Sequence, residues 1–426
     1  MFLRYSFALL FAALLSRQPS VAATVTDPSL TVENVIISGT ISSATCMAFI
    51  GNNDILVGEK ATGRVKRVTN GVVQGTIALD LPVDSASERG LLGMTLDPGF
   101  PTSNSVYLFY TRASADSTNG ANALDHRVSK FTWNGSTLSG ETVLLTLPIT
   151  TGPNHDGGVI LFGPPTVAAS SRKLFGVIGD LNRNGQAQNY SAGAAPDDTG
   201  EIFRINSDGT DPSGAEAGPF FNVAGTNVSM KHMYAYGIRN SFGLDFDPVT
   251  GVLWESENGP SVYDEINRID PGFNSGWERL MGPQSRNSFH GAPSLIQLSG
   301  VGTYSDPEFS WNMTPLSAPT AIHFLRSTSL GSGYQNDVFV GDANYGNLYH
   351  FEPNATRDGF VLTGTLADLV QDSGDSNTQI LFGQSYGAPT QIQTGPDGNM
   401  YVLSLLNNQI YRIRALSSVN DWELFD

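Results

Sequence analysis

One cysteine, Cys46, occurs in 426 residues. No internal disulfide can therefore staple the chain, and its stability must come from a buried core. Cys46 itself reads as a small buried hydrophobe. Positive charge is also scarce. Lys and Arg number 23 against 40 Asp and Glu, a net charge of −17. That excess of acid argues against nucleic acid or an anionic membrane surface as a partner. Long helical patterns of Ala, Glu, Lys and Leu are missing, which argues against a helical bundle. Beyond the N terminus, no apolar run is long enough to cross a bilayer. Histidine is rare, with six in the chain.

What is plentiful points one way. There are 46 glycines and 23 prolines, with 40% hydrophobic and only 15% charged residues. That balance suits many short strands and turns. Residues 1–23, MFLRYSFALLFAALLSRQPSVAA, read as a secretory signal. Arg4 begins it, Tyr5–Leu15 form a short apolar stretch, and Ser-Val-Ala-Ala supplies small residues for cleavage. Cleavage would remove Arg4 and Arg17 and no acid, leaving the mature chain still more acidic. The expectation is a secreted or periplasmic protein with no membrane attachment after cleavage. Residues 24–415 would form the folded domain and 416–426 a short tail.

A pattern repeats where no sequence does. Six times, a short β-rich run is followed by a polar turn and a second strand. The pairs are 53–71, 105–111 with 126–135, 173–180 with 200–210, 251–259 with 264–272, 337–353 and 399–413. DP and PDG turns punctuate them. A spacing of about 60 residues per unit suits four-stranded blades. Each blade buries its faces only against its neighbours, so the ring must close. The expected fold is an all-β, six-bladed β-propeller of four-stranded antiparallel blades. The segment 279–320 departs from the pattern. It carries Phe289, Tyr304, Phe309 and Trp311, and reads as a long loop placed to roof the channel.

The stretch TGPNHDGGVILFGP, 151–164, places His155 among glycines before an apolar strand. Glycines there let backbone or ligand approach closely. An imidazole titrates near neutral pH, so His155 is a candidate general base. Taken alone, such a histidine is more often structural. The segment ENGPSVYDEIN packs Glu257, Asp264 and Glu265 around a turn, where oxygen ligands for calcium could converge.

Several motifs occur in order: SERGLLGMTLDPGF (87–100), NHDGGVILFGP (154–164), GEIFRINSDGT (200–210), YAYGIRNSFGLDFDP (234–248), ENGPSVYDEINRIDPGFNSGW (257–277) and VFVGDANYGNLYHFE (338–352). Together they resemble the glucose/sorbosone dehydrogenase family over about residues 35–415. Many members of that family are exported six-bladed propellers that oxidise aldoses with pyrroloquinoline quinone (PQQ) and calcium. The resemblance implies that His155 is the base taking the proton of the anomeric hydroxyl. It implies that Arg239 and Asn240 hold the quinone, with Arg239 stabilising its developing charge. The carbonyls of Gly259 and Pro260 would hold the cofactor's calcium. Glu265 and the carbonyl of Ser275 would form a second calcium site. Glu88 falls near the cofactor, and Trp311 is the nearest candidate for a stacking ring.

The chain departs from this pattern mostly by losing cations. Asn344 stands at the cofactor-pairing lysine, and Ala388 and Thr390 stand at two arginines. Leu181 replaces a glutamine, Asn154 an acid, and Glu88 a glutamine. PQQ carries three carboxylates, so each lost charge-assisted contact would forfeit about 1.5–3 kcal/mol. Arg89, Arg183 and Arg326 are candidates to compensate. Three functions therefore compete. The first is a PQQ- and calcium-dependent dehydrogenase of a small-molecule sugar. The second is a non-catalytic, calcium-stabilised propeller that binds carbohydrate or protein. The third is a lactonase-like hydrolase using Glu88, Asn154, Asp180 and Asp342.

Overall fold

The computed structural model describes residues 22–182, 189, 195–286 and 295–416. The expected signal peptide falls almost wholly outside the described residues, as do Arg183, Phe289 and all but the first residue of the expected tail. Among the described residues, no helix is long and apolar enough to cross a membrane.

The fold is an all-β propeller. Among the described residues, the strands fall into six sheets. Their first strands are Ala44–Gly51, Leu91–Leu96, Ile160–Gly163, Ser241–Phe246, Pro319–Phe324 and Pro389–Thr394. Each first strand packs against the next, and the last returns to the first. The six sequence pairs supply the second and third strands. In the first sheet these are Asp54–Glu59 and Arg64–Thr69, and in the sixth Met400–Ser404 and Gln409–Ala415.

Apolar alternation explains why the ring holds. Each pair of adjacent sheets encloses its own apolar cluster. Cys46 and Leu56 of the first sheet meet Leu91 and Leu108 of the second. Met47 and Val57 meet Tyr401 and Leu403 of the sixth. Side chains alternate along each strand, so one strand feeds the clusters on both of its sides. Cys46 is buried in this packing, as its composition suggested, and burial pushes its thiol up to about 12.

The sheets differ from the expected uniform four-stranded, antiparallel blades. Among the described residues, the second and sixth have four strands and the others five or six. Short added strands cause the difference. Phe273–Asn274 and Thr303–Tyr304 extend the third sheet in parallel. Val370–Asp372 extends the fourth, also in parallel. The segment 279–320 is likewise not simply a roof. Phe309–Asn312 is a strand of the fourth sheet, and Phe309 and Trp311 are core residues.

Closure joins the two ends of the chain. Leu30–Asn34 pairs antiparallel with Gln409–Ala415 and completes the sixth sheet. Glu33 ties the strands further by pairing with Arg412 and Arg414.

Candidate active site

The first strands all begin at one end of the ring, and the turns at that end bring the motif residues together. Gly179 makes the convergence possible. A Cβ there would lie 2.4 Å from the carbonyl oxygens of both His155 and Arg239. Without a side chain at 179, the turns carrying His155 and Arg239 close onto the end of the strand Lys173–Ile178. Asp180 follows directly, and its backbone N–H donates to the Arg239 carbonyl at 2.9 Å.

Asp180 is the hub of the site. Its Oδ1 lies 2.5 Å from His155 Nδ1 and accepts the Asn182 N–H at 2.8 Å. Its Oδ2 accepts the Trp277 indole N–H at 2.8 Å. This fixes the imidazole with Nδ1 as donor and leaves Nε2 as the acceptor. No described hydrogen bond takes up Nε2. His155 is 9% exposed and sits at φ 63°, a left-handed conformation uncommon for a side-chain-bearing residue. Its backbone N–H donates to Glu88 Oε2 at 2.5 Å, which helps hold that turn.

Arg239 lies over the Trp277 ring, its guanidinium carbon 5.3 Å from the centroid. It donates to the Asn258 carbonyl at 2.7 Å, and its buried Nε has no hydrogen-bond partner among the described residues. Burial pulls its guanidinium below the ordinary arginine range, while Asp180, Glu88, Glu257 and Asp264 oppose that shift. Asn240 donates to Glu88 Oε2 at 3.2 Å, and its own Oδ1 is buried without a partner. Glu88 thus faces His155 and Asn240. Burial raises its carboxyl above the usual range.

The expected calcium ligands surround a buried acidic cluster. Gly259 begins a turn whose ends are held by Asp264, which accepts from the N–H groups of Gly259 at 2.9 Å and Ala318 at 2.6 Å. A Cβ on Gly259 would lie 2.0 Å from the Tyr263 carbonyl oxygen, so only glycine fits. Burial raises Asp264 to about 6. Behind the turn, Glu255, Glu257 and Glu265 converge on Asn267 Nδ2 at 3.4, 3.5 and 3.1 Å. All three are at most 1% exposed. Burial raises Glu257 to about 7 and lifts Glu255 and Glu265 well above the usual carboxylate range. Ser275 donates its hydroxyl to Glu257 at 2.5 Å, so Glu265 and Ser275 belong to one network. Such a concentration of buried carboxylates suits a hard divalent cation.

Other expectations separate. Trp311 is fully buried between Phe309, Tyr349 and Phe351, so it is a core residue and not a stacking ring. The aromatic at the site is Trp277, the last residue of the ENGP motif. Only its contact with Arg239 and Asp180 reveals it. Arg89 is buried beside Asp84 and Asp156 and donates to the Ile149 carbonyl. Arg326 binds Asp245 and lines the far part of the axial channel, a cavity of about 480 Å³ bounded by residues of all six first strands. Neither arginine is available to replace a lost cofactor contact. Lys60 is a cation that the sequence did not single out. Burial pulls its ammonium below the ordinary lysine range, against the attraction of Asp156, Glu88 and Asp84. Asn344 donates to the Leu316 carbonyl at 2.8 Å, Thr390 donates to the Ala44 carbonyl at 3.1 Å, and Ala388 is buried. Leu181 is also buried. Asn154 accepts from Ser87 near His155. Asp342 instead accepts the N–H groups of Tyr345 and Gly346 in its own turn. No described hydrogen bond links it to Glu88, Asn154 or Asp180.

The model of the family described as Glucose / Sorbosone dehydrogenase matches residues 41–412. The chain belongs to that family, a group of aldose oxidoreductases. Among its relatives, aldose sugar dehydrogenase YliI of Escherichia coli is 26% identical over 74% of each chain. Quinoprotein glucose dehydrogenase B of Acinetobacter calcoaceticus is 30% identical over 54% of this chain and 49% of its own. The structure of the soluble aldose sugar dehydrogenase from Escherichia coli in its apo form covers 91% of this chain and 100% of its own, at 21% identity and a TM-score of 0.68. At that identity the likeness speaks for the fold.

Proposed function

We propose that the protein is an exported sugar dehydrogenase that oxidises an aldose at its anomeric carbon, with PQQ and calcium, on a six-bladed propeller spanning residues 24–415. One observation carries this reading: the buried relay Trp277–Asp180–His155 beside the partnerless Nε of Arg239. A carboxylate that orients an imidazole so that its other nitrogen is free is the arrangement a general base requires.

In this reading, His155 Nε2 accepts the proton of the anomeric hydroxyl. Asp180 stabilises the imidazolium that results. The bound quinone supplies the two-electron acceptor for the hydride from the anomeric carbon. Arg239 Nε and the amide of Asn240 would hold it, and the Trp277 ring lies against the guanidinium. Gly259 and Pro260 offer carbonyls for its calcium. The Glu255–Glu257–Glu265 cluster, with Ser275, supports a second calcium. The missing cations at 344, 388 and 390 make cofactor affinity more dependent on calcium than on side-chain charge.

Calorimetric titration with PQQ, in calcium and then in EDTA, tests the reading. Calcium-dependent binding at micromolar affinity is expected, together with dye-linked oxidation of aldoses. His155→Ala is expected to bind and not to oxidise. No binding at tens of micromolar overturns the quinone reading. It would favour the calcium-stabilised binding propeller, which the engagement of Asn344 and Thr390 with backbone carbonyls supports.

A further inference from the structure

A second polar cluster lies on the third sheet, away from the carboxylates of the fourth. Glu201 heads the strand Glu201–Ile205, and His232 ends the short helix Val228–His232. Asp198 lies three residues before the strand. One ligand atom from each of these residues falls within 4.8 Å of the others. His232 Nε2 is 3.0 Å from Asp198 Oδ1 and 4.0 Å from Glu201 Oε1. Around a tetrahedral zinc ion with bonds of about 2.0–2.2 Å, ligand atoms lie roughly 3.3–3.6 Å apart.

Two further features point to a cation. Glu201 is fully buried, and neither of its carboxylate oxygens has a hydrogen-bond partner among the described residues. A buried acid left in that state is costly unless a proton or a cation neutralises it. Second, the other nitrogen of His232 is already engaged: Nδ1 lies 3.1 Å from Asp211 Oδ1. Nε2 is hydrogen-bonded to Asp198, so a cation would take the place of the proton there, while Asp211 keeps Nδ1 protonated and holds the ring, the arrangement found behind metal-bound histidines. One proton on Nε2 could serve Asp198 alone and would leave Glu201 unmatched.

We propose that Asp198, Glu201 and His232 bind a borderline divalent cation of the zinc class, with Asp211 orienting the imidazole. An imidazole with two carboxylates favours such an ion over calcium, which prefers an all-oxygen shell. The bound ion has a structural consequence. It joins the start of a strand, the end of a helix and the segment before Gly200. Gly200 N–H in turn donates to the Gly179 carbonyl at 2.9 Å, one residue from Asp180. The ion therefore braces the turn on which His155 is oriented.

The test uses the whole mature chain, stripped with EDTA, dialysed and saturated with calcium so that all-oxygen sites are filled. Calorimetric titration with zinc chloride is expected to show one site of micromolar or tighter affinity. Glu201→Gln and His232→Gln, which each remove a ligand, are expected to weaken it by more than the roughly 10–100-fold typical of losing an outer-shell partner. Zinc binding no tighter than about 100 μM overturns the proposal. So does unchanged affinity and stoichiometry in both variants. Crystals of the unmodified chain grown with zinc provide a measurement that needs no variant. An anomalous peak at the zinc edge between His232 Nε2 and the Glu201 carboxylate is expected, and its absence there overturns the assignment.

Discussion

Replacing Asp180 with Asn probes the proposed base through its orienting group, with little change in volume. Asp180 receives at least three donors among the described residues: His155 Nδ1 and Asn182 N–H on one oxygen, Trp277 Nε1–H on the other. An amide has one oxygen and one NH2, so it cannot accept on both sides. With its oxygen toward His155 and Asn182, the amide keeps both of those donors matched. The imidazole then keeps its tautomer but loses a neighbouring negative charge. A charge-assisted hydrogen bond exceeds a neutral one by about 1 kcal/mol. The NH2 group meanwhile opposes the Trp277 N–H, and a buried donor left unmatched costs about 1–3 kcal/mol. That displaces the ring supporting Arg239. Together these come to about 2–4 kcal/mol, and since 1.4 kcal/mol is tenfold, Asp180→Asn should lower kcat by about 30–700-fold. His155→Ala should lower it by about 10²–10⁴-fold, the range for losing a general base. KM for the sugar should change little in Asp180→Asn. The assay is dye-linked aldose oxidation by chain loaded with PQQ and calcium, with cofactor affinity measured in parallel. A kcat within threefold of the unmodified chain would refute the assignment of Asp180 as the orienting group. A loss confined to KM would refute it equally.

Trp311→Ala should destabilise the fold by about 3–5 kcal/mol, because it empties a fully buried site in the fourth and fifth sheets' shared core. Trp277→Phe should instead lower the melting temperature less than Trp311→Ala and reduce turnover more; the reverse pattern in melting and kinetics would undo the exchange of roles between these tryptophans. Gly259→Ala should reduce the stabilisation that calcium gives in thermal melts to the part supplied by the Glu255–Glu257–Glu265 site, since its Cβ would collide with the Tyr263 carbonyl; a normal calcium response would show that the turn is not a ligand loop. Burial favours the neutral form of Asp245, but Arg326 and His323 outweigh it and hold the carboxyl well below its ordinary range. Its contribution to stability is therefore complete above about pH 4, the unfolded value, and is lost as pH falls further. Chemical denaturation of Asp245→Asn should show a gap from the unmodified chain that narrows below that pH, and a gap constant from pH 7 to pH 3 would contradict this.

The second and third strands of every sheet were legible because they alternate and are joined by short polar turns. Asp54–Glu59 with Arg64–Thr69 is a clear case. The first strands were harder to read. Ile160–Gly163 has only four residues, and Pro319–Phe324 and Pro389–Thr394 open on proline. Their pattern is set by packing around an axis, not by one buried and one wet face. The short parallel strands, such as Val370–Asp372, carry no local signal, since their partners lie far away in sequence. At the site, His155, Arg239, Asn240 and Gly259 could be read from motifs. Trp277 and Asp180 could not be joined to them, because the Trp277–Asp180 contact spans 97 residues. Trp311 was misplaced for the converse reason: aromatic residues in an irregular segment suggest a lid, and only strand pairing shows that the segment enters a sheet.

Closure connects these observations to function. Residues near 88, 155, 180, 239 and 258 come from the second, third and fourth sheets, and no two neighbouring sheets alone could hold the site. His155 is positioned by Asp180 and Glu88, and Arg239 by Asn258, Glu257 and Trp277. Their spacing therefore depends on the angle between adjacent sheets, which the apolar clusters and the terminal strand Leu30–Asn34 fix. Cutting away that strand leaves every site residue in place in the sequence, yet it exposes the edge of Gln409–Ala415 and frees the ring to open. A site built across sheets should lose its ligand-binding geometry before the individual sheets lose their strands. The strand Leu30–Asn34 thus supports the site from the far side of the ring.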